Sequence, residues 1–191
     1  MSTEEAIIKA YLSLLDKYSL KNIKVDMIAK EANVSRATFY RYFPSKQDMH
    51  YALFASLSKS ASMEESSLDF QKSLVNFYKS LEENRERINK IIRQSPNNEL
   101  FNNLYRYTLD YFSEAFKVTN QMGKTSKNEL IYVCSGLAGL TMSIVDSSRP
   151  IDVEQAARDN YNFIPDHFHE VADPLMRWLA EHHIDLNGET K

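Results

Sequence analysis

Apolar side chains recur at three- and four-residue intervals along nearly the whole chain, and this spacing restricts the fold more than any other feature. The first stripe holds Ile7, Tyr11, Leu14 and Tyr18, which is the pattern of an amphipathic helix. No stretch shows the strict alternation of a half-buried strand. The 191 residues include only 4 Gly and 5 Pro, too few turn residues for a β-sandwich. The sequence therefore predicts an all-α protein.

Composition narrows the class of protein and its compartment. Hydrophobic residues make up 43% of the chain and charged residues 26%, which is typical of a folded domain and not of a disordered one. The single Cys134 allows no internal disulfide, as expected in a reducing cytoplasm. The acidic, amphipathic N-terminus does not resemble a signal peptide. The weakly polar run at 132–145 is shorter than the roughly 20 residues of a membrane span. We expect a cytoplasmic protein with no membrane segment.

The apolar pattern divides the chain into successive helices. Thr3 is the predicted N-cap of the first helix, and Ser45 is the predicted cap of a helix that begins at Lys46. One continuous helix is predicted through 74–91, and breaks are predicted at Pro165 and Pro174. The predicted helical segments are 4–18, 25–32, 35–43, a long helix from 46, 74–91, 100–116, 127–148 and a region from 152 onward.

Two short helices joined at the sequence EANVS match the spacing of a helix-turn-helix. Ala29 and Ala32 allow the next helix to approach closely, and Asn33 suits the left-handed backbone of a sharp turn. Ser35 can cap the following helix by accepting from the backbone N–H of Thr38. In DNA-binding proteins of this kind the second helix presents its N-terminal residues to the major groove.

The residues of this second helix divide into a buried face and an outward face. Phe39 and Phe43 are four residues apart and are predicted to be core with Val25 and Ile28. Arg36 suits a guanine, whereas the other polar side chains can reach phosphates. Residues 1–50 hold eight Lys/Arg against six Asp/Glu, although the whole chain has a net charge of −3. The predicted DNA-binding residues are Lys24, Ser35, Arg36, Ala37, Thr38, Tyr40, Arg41, Tyr42 and Lys46.

The run IKVDMIAKEANVSRATFYRYFPSKQDM at 23–49 resembles the DNA-binding signature of the tetracycline-repressor (TetR) family. Two residues depart from the usual pattern: Asn33 stands where Gly is usual, and Lys24 replaces a Thr or Ser at the start of the second helix. The resemblance implies a helix-turn-helix DNA-binding domain over 1–48. It also implies a larger helical body over 49–191 that binds an effector and forms a homodimer through its last two long helices.

The body offers candidates for both roles. Two glycines in one helix indicate a close approach of backbones, either to a partner subunit or to a neighbouring helix. The predicted dimer interface comprises Gly136, Gly139, Leu175, Trp178 and Leu179. Aromatic residues with polar groups suit an effector pocket, although the same residues also suit a core. The predicted pocket comprises Tyr78, Phe101, Tyr105, Tyr107, Tyr111, Phe112 and Met142.

These features favour a ligand-responsive repressor that binds a palindromic double-stranded operator as a homodimer and is released by a small molecule of unknown identity. An alternative keeps the DNA binding but replaces the ligand with a protein partner, or makes the protein an activator. We expect no enzymatic activity, because the sequence shows no nucleophile motif or phosphate loop. We expect no cofactor and no metal, because the His167, His169 and His182 region lacks a recognised ligand spacing.

Overall fold

The computed structural model describes residues 2–62, 69–95, 98–147 and 149–182. These residues form ten α-helices and no strand, so the all-α prediction is confirmed. The α-helices are α1 Thr3–Lys17, α2 Val25–Glu31, α3 Arg36–Tyr42, α4 Asp48–Ser62, α5 Phe70–Glu83, α6 Arg85–Gln94, α7 Glu99–Val118, α8 Lys127–Val145, α9 Val153–Phe163 and α10 Asp166–His182. Single 3₁₀ turns lie at Leu20–Asn22 and Met122–Lys124.

Helix α1 begins with a capping box, but not at the predicted residue. The hydroxyl of Ser2 accepts from the backbone N–H of Glu5 at 3.2 Å, and the Glu5 carboxylate accepts from the N–H of Ser2 at 2.9 Å. Thr3 is the first residue of the helix, so its prediction as the cap was wrong by one position. The reciprocal pair satisfies two backbone donors that have no partner inside the helix.

Asn33 makes the sharp turn between α2 and α3, as predicted, with φ of 55°. The N–H of Val34 donates to the carbonyl of Ala29 at 2.9 Å, and the N–H of Asn33 donates to that of Lys30 at 3.1 Å. This pair of bonds is the Schellman motif, in which the residue after the cap is left-handed. Asn120 ends α7 with the same geometry, at φ of 56°.

Helix α3 packs against α2 through its aromatic face, and the buried side chains join the core that α1 shares. Phe39 is fully buried and Phe43 is 3% exposed, with ring centroids 5.7 Å apart. Ile28 is also fully buried, and Val25 packs against the same cluster. The prediction that the phenylalanines are core is confirmed. Because α3 has only seven residues, this burial determines which of its side chains face outward.

Three predicted boundaries differ from the structure. The continuous helix through 74–91 is two helices, α5 and α6, which meet at Asn84. The side-chain amide of Asn84 donates to the Ser80 carbonyl at 2.9 Å, which competes with the backbone bond of the helix. In contrast, Pro174 does not interrupt α10, which continues through it. Helix α4 begins at Asp48, two residues after the predicted start.

Helix α7 lies at the centre of the body, with α4, α8 and α10 packed around it, and α5 packs between α4 and α9. The buried residues fall into two clusters. The first is shared by the three N-terminal helices and much of the body, so it includes both Phe39 and Tyr78. The second lies at the end of the body that α10 covers and includes Phe112 and Phe168. The N-terminal helices therefore rest on the body through a common core.

The left-handed position of Asn33 yields a stability prediction. Asn33→Ala should lower the free energy of unfolding by about 1 kcal/mol, because Ala lacks the local polar contacts that help Asn tolerate this backbone. Asn33→Gly should retain or slightly raise it. Urea unfolding measures both, and Asn120→Ala is the matched control with the same motif far from α3. Equal stability of the Ala and Gly variants at position 33 would contradict the assignment.

Candidate nucleic-acid interface

Helix α3 presents one solvent-facing surface, and most of the predicted DNA-binding residues lie on it or beside it. Arg36, Ala37, Tyr40 and Arg41 are exposed, and Thr38 is half-buried. The hydroxyl of Ser35 accepts from the backbone N–H of Thr38 at 3.0 Å, as predicted for the N-cap. This surface therefore combines two guanidinium groups with hydroxyl donors on a helix of fixed orientation.

Both arginines of this surface contact neighbouring side chains. Nη1 of Arg36 lies 2.9 Å from a carboxylate oxygen of Asp26 in α2, and the guanidinium lies 6.0 Å from the ring centroid of Tyr40. The guanidinium of Arg41 lies 5.3 Å from the ring centroid of Tyr42. Sequence reasoning considered only donors and missed Asp26. The signal available was an acidic residue in the first turn of the preceding helix.

The two predicted lysines differ in their surroundings. Lys24 is exposed at the N-cap of α2 and provides no side-chain cap, so its ammonium is available to solvent. Lys46 is half-buried, and its ammonium donates to the carbonyls of Leu20 at 2.9 Å and Ile23 at 3.2 Å. Burial lowers the pKa of Lys46. In this structure Lys46 therefore fastens the segment between α1 and α2 to the start of α4.

Helix α6 contacts the end of α1 and the segment that follows it through residues spaced three and four apart. Arg87 donates to both carboxylate oxygens of Asp16, each at 2.7 Å. The ammonium of Lys90 donates to the carbonyls of Leu15 and Tyr18, which end α1. Gln94 accepts from the backbone N–H at position 20 at 2.7 Å. Helix α6 therefore binds the end of α1 through hydrogen bonds to its backbone and through an ion pair. The sequence did not predict these contacts.

A buried polar chain joins α1, α4 and α7. The hydroxyl of Tyr11 lies 2.8 Å from Nε2 of His50, whose side chain is almost fully buried. Nδ1 of His50 lies 2.9 Å from Oε1 of Glu99, out of line for a hydrogen bond, and neither atom has another partner among the described residues. Burial, with the nearby charge of Lys46, lowers the pKa of His50 to about 4, so the ring is neutral at pH 7.

The predicted effector residues are divided between the two cores. Tyr78 and Tyr107 belong to the first cluster, and Phe101 and Met142 pack against it. Tyr111 and Phe112 belong to the second cluster. Tyr105 packs against both clusters. The structure therefore places these residues along α5, α7 and α8 without assembling them around one point.

The polar group of Tyr78 already has partners inside the body. Its hydroxyl lies 2.9 Å from the hydroxyl of Thr141 and accepts from the side-chain amide of Asn160. All three residues are buried, and they join α5, α8 and α9. Burial raises the pKa of Tyr78 to about 12. Such a satisfied network favours one specific arrangement of the three helices.

The predicted dimer residues have different environments. Gly136 is exposed on α8, and a Cβ placed there meets nothing within 4 Å. Gly139 faces the ring of Phe101 on α7, 3.9 Å from its Cβ position. Leu175 is fully buried in the second core, where its side chain offers no surface to a partner. The side chains of Trp178 and Leu179 lie outside what the structure describes.

A polar cavity of about 310 Å³ at the junction of α5 and α6 is lined by Asp16 and residues 82–87, and includes none of the predicted aromatic residues. No group of three or more His, Cys, Asp or Glu that could hold a metal occurs in the described ranges. Helix α8 has the length and apolar composition of a membrane span, properties that core helices share.

The residues that build α1 to α3 and the start of α4 match a known family. The family model described as "Bacterial regulatory proteins, tetR family" matches residues 7–53. Residues 7–53 therefore belong to the tetR family of bacterial regulatory proteins. The match covers the turn at Asn33 and the whole outward face of α3. It confirms the resemblance of residues 23–49 to this family.

Curated relatives match the chain over a short segment. The HTH-type transcriptional regulator EthR of Mycolicibacterium smegmatis is 43% identical over 58 residues, which is 30% of this chain and 27% of that protein. EthR of Mycobacterium tuberculosis is 42% identical over 60 residues, 31% of this chain and 28% of that protein. The chain therefore matches little more than a quarter of the length of these relatives.

Solved structures resemble the chain over a greater length but distantly. The dihydroxyacetone kinase operon activator DhaS aligns over 94% of this chain and 97% of its own, with 20% identity and a TM-score of 0.48. The TetR family repressor AlkX from Dietzia sp. aligns over 87% and 97%, with 16% identity and a TM-score of 0.48.

The buried His50 predicts that stability depends on pH. An unfolded histidine titrates near pH 6.5, whereas the pKa of folded His50 is about 4. Between these values the unfolded chain binds the extra proton, so the free energy of unfolding should fall as pH decreases from about 6.5 to 4. Urea unfolding across this range should show a shallower fall for His50→Gln.

Comparison of the wild type with His50→Gln separates the contribution of His50 to this pH dependence from that of the other titratable groups. Burial raises the pKa of Glu99, which acts in the opposite direction but is present in both proteins. An unchanged slope in His50→Gln would refute the neutral, buried ring.

Proposed function

We propose that the protein is a sequence-specific DNA-binding transcriptional regulator, a repressor that binds a palindromic operator as a homodimer and releases it when a small molecule binds. In this proposal residues 1–48 read DNA, residues 49–191 bind the effector and the partner subunit, and the protein acts in the cytoplasm without enzymatic activity. The effector is unidentified, and the proposal requires no cofactor.

The outward face of α3 carries this proposal. Phe39 and Phe43 are buried, so Arg36, Tyr40 and Arg41 project from a short, capped helix that follows a fixed turn. A recognition helix needs this arrangement, in which the side chains near its N-terminus reach base edges and the flanking donors bind phosphates. The tetR-family match over residues 7–53 supports the same assignment.

Contacts between the body and the end of α1 support a response to an effector. Arg87 and Lys90 of α6 bind the last turn of α1, and Lys46, two residues before α4, binds the segment that follows. Tyr51 of α4 donates to Asp110 of α7 at 2.8 Å. A ligand that prefers one arrangement of α5, α7 and α8 would thereby change the orientation of α3, and the same coupling would make DNA weaken ligand binding.

The surface of α8 supports a homodimer. Tyr132 is 81% exposed on this apolar helix, and Gly136 lies one turn further along. Open space at Gly136 leaves room for close approach of a partner helix. Gly139, Trp178 and Leu179 complete the proposed interface, and Leu175, which is buried in the second core, would hold α10 in position behind it. A two-fold dimer would place two copies of α3 on half-sites separated by whole turns of DNA.

A second candidate is control by a protein partner, or activation of transcription. Full burial of Tyr78 and near-complete burial of Phe112 favour it, because these residues act as core in the structure. In this alternative the exposed apolar side chains of α8 would bind the partner protein instead of a second copy of the chain. A small molecule that releases DNA from the purified protein would exclude this alternative.

Arg36→Ala tests the proposed reading helix. With a duplex selected by the wild-type protein, the variant should lose about tenfold or more in specific affinity, because a bidentate arginine–guanine pair is removed. Its affinity for a scrambled duplex should change little. Fluorescence anisotropy at fixed salt measures both, and Lys127→Ala, an exposed lysine in the body, is the control. Equal losses on the two duplexes would contradict base reading.

Lys46 can be tested in the same assay. A phosphate contact requires its ammonium to leave the carbonyls of Leu20 and Ile23. If Lys46 binds phosphate in the complex, Lys46→Ala should reduce the slope of log affinity against log salt by about one. A wild-type slope together with lower thermal stability would instead assign Lys46 to fastening the α1–α2 segment.

The dimer proposal predicts the effect of a charge on α8. Gly136→Glu should convert a dimer into a folded monomer, because two like charges would meet near the two-fold axis. Light scattering after gel filtration measures the mass, and circular dichroism verifies the helices. Asn128→Glu, also exposed on α8, is the control away from the glycine. A dimeric Gly136→Glu variant would exclude this face of α8 as the interface.

A further inference from the structure

An acidic side chain lies on the surface that we propose binds DNA. Asp26 belongs to the first turn of α2, and its carboxylate oxygens lie 2.9 and 3.2 Å from Nη1 of Arg36. Both side chains are more than half exposed. Ion pairs that are this exposed contribute little to stability. A carboxylate that approaches phosphates also weakens non-specific binding. Its position therefore requires another explanation.

The geometry of the guanidinium supplies one. Arginine recognises guanine with two parallel N–H donors that bind O6 and N7. Asp26 engages Nη1, and in the described part of the chain Nε and Nη2 of Arg36 make no hydrogen bond. Nε and Nη2 form one edge of the fork, which has the paired donors that a guanine needs. The carboxylate thus fixes the group and leaves a guanine-binding edge open.

We propose that Asp26 is a specificity-determining residue, which acts by positioning Arg36 for a guanine in each half-site. The inference rests on the proposed function. A long arginine side chain loses rotamer freedom when it binds, and a partner that already restrains it reduces that cost. The restraint also limits the other base acceptors that Arg36 can reach, so Asp26 increases discrimination at one base pair more than it increases overall affinity.

The test is a selection of DNA from random duplexes with four purified full-length proteins. These are the wild type, Asp26→Ala, Arg36→Ala and the double variant. Glu31→Gln is the matched control, because it removes the same charge from α2 at a site that contacts Ser13 and Lys17 of α1 instead of Arg36. Thermal unfolding of each protein distinguishes a variant that does not fold from one that folds but no longer recognises the base.

Asp26→Ala should reduce the preference for guanine at one base pair of each half-site by about twofold to fivefold, less than Arg36→Ala does, and should strengthen binding to unrelated DNA. The double variant should show the same base preference as Arg36→Ala alone, because Asp26 acts through Arg36. Glu31→Gln should retain the wild-type preference.

Two results would overturn the inference while leaving the proposed function intact. One is an unchanged guanine preference in Asp26→Ala. The other is a further change of preference when Asp26→Ala is added to Arg36→Ala, which would mean that Asp26 contacts a base itself. A wild-type protein that selects no sequence would instead overturn the proposed function, and this inference with it.

Discussion

Burial of the Phe39 ring is the interaction on which the proposed interface depends. The side chain is fully buried among the first helices and shares the core that continues into the body. On a helix of seven residues, one buried ring and its neighbour four positions later determine the rotation of every other side chain. Arg36 and Tyr40 are exposed as a consequence. Truncation of a buried phenylalanine typically costs about 3–5 kcal/mol, so this rotation is strongly maintained.

Polar contacts from the body also hold the helices of the proposed interface in position. Lys46, Lys90 and Gln94 bind backbone groups between positions 15 and 23, where α1 ends. Backbone contacts constrain position without depending on which side chains the segment carries. Because α4 and α6 supply these contacts, a rearrangement of the body is transmitted to α1 and from there to the core under α3. The body need not touch DNA to influence the reading helix.

Much of the fold could be predicted from local patterns, because helical periodicity, caps and left-handed turns are encoded by neighbouring residues. The turn at Asn33 and the cap at Ser35 are examples that the structure confirms. The break at Asn84 was missed, since the apolar stripe continues across it and only the side-chain bond to Ser80 reveals it. Continuation of α10 through Pro174 was missed because surrounding packing can compensate for one lost backbone bond.

The site was less predictable, because its partners are distant in sequence. Asp26 and Arg36 meet only after α2 and α3 fold together, and Lys46 reaches carbonyls more than twenty positions away. The most direct test of the account is methylation interference on a duplex selected by the protein. Methylation of guanine N7 should abolish binding at guanines in two half-sites about 34–36 Å apart, or a multiple of that distance, because it blocks the major-groove contact of Arg36. Binding that tolerates N7 methylation everywhere and responds only to salt would contradict it.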